Sequence, residues 1–124
     1  MPERHVRAIR GATTVTADAP DAIRAATQAL LREIATRNGL APADIISALF
    51  TVTADLGSEF PARAARELGW DDVPLLCTVE IPVPGALARC IRVLLHIESE
   101  RARSALQHVY LEGARVLRPD LLRD

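Results

Sequence analysis

The sequence predicts an α+β protein in which a mixed five-stranded sheet carries one long helix on one face. Three observations lead there. A single long segment, Asp18 to Gly39, repeats its apolar residues at helical spacing. Several shorter segments alternate at period two or run apolar for the length of a strand, and turn residues separate them at short intervals. With 124 residues the chain reads as one domain over residues 1–124, large enough for one core but small enough that an enzyme of this size often borrows walls from a partner subunit.

The first element, Arg4 to Val15 (RHVRAIRGATTV), alternates as a strand, with Val6, Ala8 and Arg10 on one face and Arg7 and Ile9 on the other. Gly11 within it marks a bulge or a close backbone approach. In the long helix Asp18 and Pro20 give the start and Gly39 the stop, and Ile23, Ala26, Leu30, Leu31 and Ile34 form the apolar stripe. Arg24, Arg32, Glu33 and Arg37 read as its solvated face. After an APAD turn, Ile45 to Thr53 (IISALFTVT) is a buried strand. A short helix follows, opened by Pro61 and closed by Gly69; on it Arg63 and Arg66 are neighbours on one face, each within reach of Glu59 or Glu67.

Two apolar runs then flank a PVPG break at Pro82 to Gly85, and the turn chemistry predicts an antiparallel strand pair between Pro74 and Glu98. In the second run Ile91, Val93, Leu95 and Ile97 share one face, and Cys90, Arg92, Leu94 and His96 the other. Arg92 is thus a guanidinium in the middle of a largely apolar ribbon, and an acidic group must meet it: a carboxylate such as Glu80, or an anionic ligand. A polar ESERARS link leads to a final short strand or turn, His108 onward, and a tail. The sheet face away from the helix keeps apolar residues that a chain of this size cannot cover, so packing against copies of itself is expected.

Composition excludes several functions. All fifteen basic residues are arginine, so Schiff-base chemistry and a P-loop lysine are ruled out. A planar, permanently charged fork suits carboxylates and ether or phosphate oxygens, and it does not act as a base near neutrality. A net charge of −1 with few aromatic residues disfavours nucleic acid and anionic membranes as partners. No apolar run approaches a membrane span and the start MPERHVRAIRG lacks a signal-peptide segment, so a cytoplasmic location is expected. Cys77 and Cys90 form no CxxC, and the three histidines lack ligand spacing, so free thiols and no metal are expected.

Five blocks carry a family resemblance: IRGATTV at Ile9 to Val15, FPARAARELGW at Phe60 to Trp70, CTVE at Cys77 to Glu80, CIRV at Cys90 to Val93 and HVYLEGARVLRPDL at His108 to Leu121. In order and spacing, across essentially the whole chain, they resemble the monofunctional trimeric bacterial chorismate mutases. The resemblance implies a homotrimer built as a pseudo-α/β-barrel, with an active site in each cleft between subunits. It implies the [3,3] rearrangement of chorismate to prephenate without cofactor or metal. By the same resemblance Arg92 would donate to the breaking ether, Arg10 and Tyr110 would grip the enolpyruvyl carboxylate, and Glu80 and Cys77 would bind the ring hydroxyl. Phe60, Ala62 and Leu117 would supply apolar walls, with Arg63, Arg66 and Arg118 at the rim. The family pattern has lysine where Arg63 stands and a small polar residue where Leu76 stands. Cys77 and Glu80 are three apart, so a bulge or a strand end must intervene if both are to line one pocket. The alternative is a non-catalytic or deaminase-like trimer that binds small carboxylates at its clefts.

Overall fold

Apolar residues at every second strand position require one covered sheet face, and the long helix supplies the cover. The computed structural model describes residues 3–117. It contains β1 (His5–Thr14), α1 (Pro20–Asn38), β2 (Ile45–Val52), α2 (Pro61–Glu67), β3 (Leu75–Val79), β4 (Cys90–Ser99) and β5 (Val109–Tyr110). The strands make one mixed sheet in the order β3-β2-β4-β1-β5. β4 runs antiparallel to both β1 and β2, while β3 is parallel to β2 and β5 parallel to β1.

This order corrects one expectation. β3 and β4, the apolar runs on either side of PVPG, do not pair, because β2 lies between them. Turn residues license a hairpin only when the connection is short, and residues 80–89 are long enough to carry the chain past β2.

The period-two reading of β4 holds. Ile91, Val93, Leu95 and Ile97 are buried, and they continue across the sheet through Ile9, Ala48, Phe50, Val52 and Val109 to form the face under α1. From α1, Leu30, Leu31 and Ile34 enter this core, and Ile23 joins a second cluster with Val15, Val52, Leu56 and Ile91. Gly11 is the close approach: a Cβ there would lie 2.7 Å from Ile34 Cδ1 and 3.3 Å from the Val109 carbonyl oxygen. Among the described residues no helix is long and apolar enough to cross a membrane.

Two details of α1 differ from the sequence reading. Ala19, not Asp18, is the N-cap, and Pro20 opens the helix behind it. Asp18 instead ties down the loop before α2, accepting hydrogen bonds from the Gly57 and Ser58 amides and from the Ser58 hydroxyl. The buried stripe also holds two polar residues, Thr27 and Asn38. Each donates back to a carbonyl of its own helix, Thr27 to Ile23 and Asn38 to Ile34, which is how a polar side chain is tolerated there. At the entry to β4, Arg89 takes φ 48, a left-handed conformation that costs a non-glycine residue about 1–3 kcal/mol unless its surroundings fix it. They do: its amide donates to the Asp55 carboxylate, its Nε donates to the Val15 carbonyl at 3.0 Å, and the Val15 amide returns a bond at 2.9 Å.

Candidate active site

The site is set by register. One row of cross-strand partners crosses all five strands, Thr78, Thr51, Arg92, Ala12 and Tyr110, on the face away from α1. The next row on that face is Leu76, Leu49, Leu94 and Arg10. Arg92 therefore stands mid-sheet, with Arg10 one step along the neighbouring strand and Tyr110 at the far edge. Just past the end of β3, the Glu80 amide donates to the Val52 carbonyl at 2.8 Å, which turns its carboxylate back over this face. There Glu80 Oε2 accepts from Thr51 Oγ1 at 2.8 Å and lies 3.2 Å from Arg92 Nε.

Arg10, Leu49, Thr51, Glu80, Arg92, Leu94 and Tyr110 line one cleft of about 380 Å3. Arg92 meets Glu80, as the sequence allowed, yet its hydrogen-bonding capacity is not used up. Arg92 Nε and the Tyr110 hydroxyl are both buried without a hydrogen-bond partner among the described residues, so the ion pair is close in distance but not aligned. The two side chains are 32% and 28% exposed as a whole, but the Arg92 Nε itself is buried. A buried polar group left unpaired costs about 1–3 kcal/mol. Two of them in a cleft lined by a second arginine leave donors that the oxygens of an anion can satisfy.

Beneath the cleft, Ala12, Cys90, Tyr110 and Ala114 pack together, with Leu117 partly buried against them. Burial pushes the Cys90 thiol up, although the neighbouring Arg92 guanidinium pulls the other way. It stays a neutral packing group near neutrality.

Cys77 is elsewhere. It is in register with Phe50, whose side chain is fully buried under the helices, and the β2–β3 ladder runs from Ala48 to Val52 without a bulge. Cys77 and Glu80 thus leave β3 on opposite faces. Cys77 lines a second cleft of about 280 Å3 with Val52, Leu56, Glu59, Phe60 and Val79. Phe60, the N-cap of α2, is 68% exposed, whereas Ala62 is buried in the core. Arg63 reaches Glu59 at 3.4 Å, and Arg66 is exposed on the same helix. Arg118 lies outside the described residues. One chain therefore brings together Arg10, Glu80, Arg92 and Tyr110, with Leu117 packed against Tyr110, and separately groups Cys77 and Phe60, with Arg63 paired to Glu59 of that second cleft.

Sequence reasoning passed over two residues. Thr51, which orients Glu80, was hidden because its strand was read as uniformly buried, although its alternation with Phe50 and Val52 marks it as facing away from the core. His108 accepts a hydrogen bond at Nδ1 from the Arg10 amide at 2.9 Å, a contact that no sequence signal announces.

Fold and cleft together define a small α+β protein with a lysine-free, arginine-lined cleft on the sheet face away from its long helix. A family model for chorismate mutase type I matches residues 6–121, and the chain belongs to that family. It is 50% identical over 117 residues to chorismate mutase AroH of Thermus thermophilus, covering 94% of this chain and 96% of that protein. It is 44% identical over 117 residues to chorismate mutase AroH of Bacillus subtilis, covering 94% and 92%. A solved chorismate mutase from Clostridium thermocellum superposes with TM-score 0.87 at 53% identity, over 88% of this chain and 97% of that one.

Proposed function

We propose that the chain, acting as one catalytic domain, is an isomerase that converts chorismate to prephenate on the way to the aromatic amino acids. The observation that carries this reading is the cleft in which Arg10, Arg92 and Tyr110 converge with Glu80, leaving Arg92 Nε and the Tyr110 hydroxyl without partners among the described residues. Chorismate is a dianion with an enolpyruvyl ether. In its pericyclic rearrangement the C–O bond breaks ahead of C–C bond formation, so negative charge grows on the ether oxygen and no nucleophile or base is required. Arg92 donates to that oxygen and stabilises the charge where it develops. Arg10 and Tyr110 hold the enolpyruvyl carboxylate, folding the flexible side chain over the ring into the reactive shape. Glu80, aimed by Thr51, takes the ring hydroxyl and favours positive character left on the ring.

The remaining site residues fall to a second copy. Cys77 and Phe60 line the helix-side cleft of their own chain, so a site that uses them together with Arg92 needs two chains. In this reading one protomer supplies Arg10, Glu80, Arg92, Tyr110 and Leu117. Its neighbour supplies Cys77, Phe60, Arg63 and Arg66, with Ala62 packed in that chain's core, and a rim role for Arg118 is an expectation from the family resemblance alone. A homotrimer with the bare sheet faces turned inward as a pseudo-α/β-barrel satisfies this division. It is supported by the exposed apolar residues at the β3 edge and beyond, Leu76, Val79, Ile81 and Val83. A cytoplasmic location is supported by two cysteines that are both free thiols.

The test is an absorbance assay of chorismate loss by the purified protein, with prephenate identified as product. Turnover is expected. A folded trimer that leaves chorismate unchanged would refute the assignment and favour a carboxylate-binding protein.

A further inference from the structure

β5 is two residues long, and a strand so short offers its neighbour few backbone partners. Its ladder matches Gly11 with Val109 and Ala12 with Tyr110, and the Leu111 amide extends it by donating to the Ala12 carbonyl at 2.9 Å. At the other end the ladder runs out, and a side chain replaces it: the amide of Arg10 donates to His108 Nδ1 at 2.9 Å. A ring nitrogen accepts only while its lone pair is free, so the imidazole is held with its hydrogen on Nε2.

The backbone just before this histidine is itself clamped. Asn38, the last residue of α1 and only 3% exposed, accepts from the Gln107 amide at 2.7 Å and donates to the Gln107 carbonyl at 2.9 Å. Its amide group also bonds the Ile34 carbonyl at 2.9 Å. A continuous path therefore runs from the end of α1 through Gln107 and the imidazole to the main chain of Arg10. That main chain has little other support on this side, because β5 begins only opposite Gly11.

We infer that His108 is a positioning residue: it fixes the Arg10 backbone against β5, with Asn38 holding the imidazole in place, and so sets where the Arg10 guanidinium stands in the cleft. The inference rests on the proposed role of Arg10 as a carboxylate ligand. It assigns His108 no contact with substrate and no proton transfer.

The test uses the full chain and the chorismate assay. His108→Leu keeps bulk and removes the acceptor, His108→Asn restores an acceptor near the position of Nδ1, and His108→Gln places one near Nε2. The Leu and Gln variants are expected to lose roughly 10- to 100-fold in kcat/KM, the scale of a misplaced substrate-holding group. The Asn variant should stay within about threefold of the parent. In an Arg10→Ala background, His108→Leu should change kcat/KM by less than about threefold while still lowering the melting temperature as it does in the parent, since a group acting through Arg10 has nothing left to position. Full multiplication of the two kinetic losses, or parental kcat/KM in His108→Leu, would overturn the inference. Should the Leu variant fail to fold, the contrast between Asn and Gln decides it: equal activities in the two refute it. Parental kcat/KM in Arg10→Ala alone is a different result, which would remove the role given to Arg10 itself.

Discussion

Arg92 has Thr51 and Ala12 as its cross-strand neighbours on the third of five strands, so its Cα cannot drift without the sheet. Preorganisation of this kind gives a fixed donor its catalytic value, because no reorganisation is needed when charge appears. Arg92→Ala is expected to keep the fold, by circular dichroism and sizing, while turnover falls at least about 10²- to 10³-fold, the range for losing one preorganised donor. Retained turnover would refute the assigned role. No group in the proposed set shuttles a proton, so kcat should vary little between about pH 6 and 9; a bell centred near neutrality would point to a histidine acting chemically. At this scale, period-two counting was enough to put Arg92 and Arg10 on strands and Arg92 opposite the core. It also exposed the parity conflict between Cys77 and Glu80. Counting could not supply a second chain, and the absence of a bulge turns that conflict into the division of the site proposed above.

The contact between the sheet and α1 depends on the missing side chain at Gly11. Gly11→Ala would press a methyl group against Ile34 Cδ1 from 2.7 Å, and forcing extra volume into a packed core costs about 1–3 kcal/mol. A matching drop in the urea midpoint is expected, with a loss in kcat/KM as Arg10 is displaced with its neighbour; an unchanged midpoint would mean that α1 yields freely. The sequence marked Gly11 as a bulge or a close backbone approach, and the unbroken β1–β4 register through Gly11 leaves the second. Elements with a strong period were legible. The pairing of β3 was not, since PVPG is compatible with a hairpin and with a longer crossing alike, and only the position of β2 decides between them. Thr27 and Asn38 were missed because polarity on a helix reads as exposure, whereas both spend their hydrogen bonds on backbone carbonyls.

For the whole molecule, one sheet face lies under helices and the other offers Arg10, Leu49, Leu94 and His96 only partly buried. If clefts form between copies, dilution to verified monomers should abolish turnover, and activity should return on concentration; a fully active monomer would eliminate the shared site. Acid should act on the loops first. The carboxyls of Asp18, Asp44 and Asp55 lie below the ordinary value of 3.8, held down chiefly by the Ser58 hydroxyl, the Ala41 amide and the Thr53 hydroxyl respectively. Because each is lowered on folding, its contribution is complete above about pH 4 and disappears as pH falls through the native values. The denaturation midpoint should therefore be insensitive to these three groups from pH 5 to 8 and decline only in stronger acid, which a series of urea titrations would reveal.

The single line of partners from Thr78 to Tyr110 also governs how the gene can change length. Adding or deleting one codon inside β1, β2 or β4 would invert every side chain on one side of the edit, burying a guanidinium or exposing a core aliphatic. The turn at residues 84–86 carries no member of that line, lies clear of Ile81, Val83 and Leu87, and belongs to a connection anchored at both ends, at Glu80 and at Arg89. Grafted peptides, tags or natural indels in this family member should be accommodated there with the reactive face still correctly aimed.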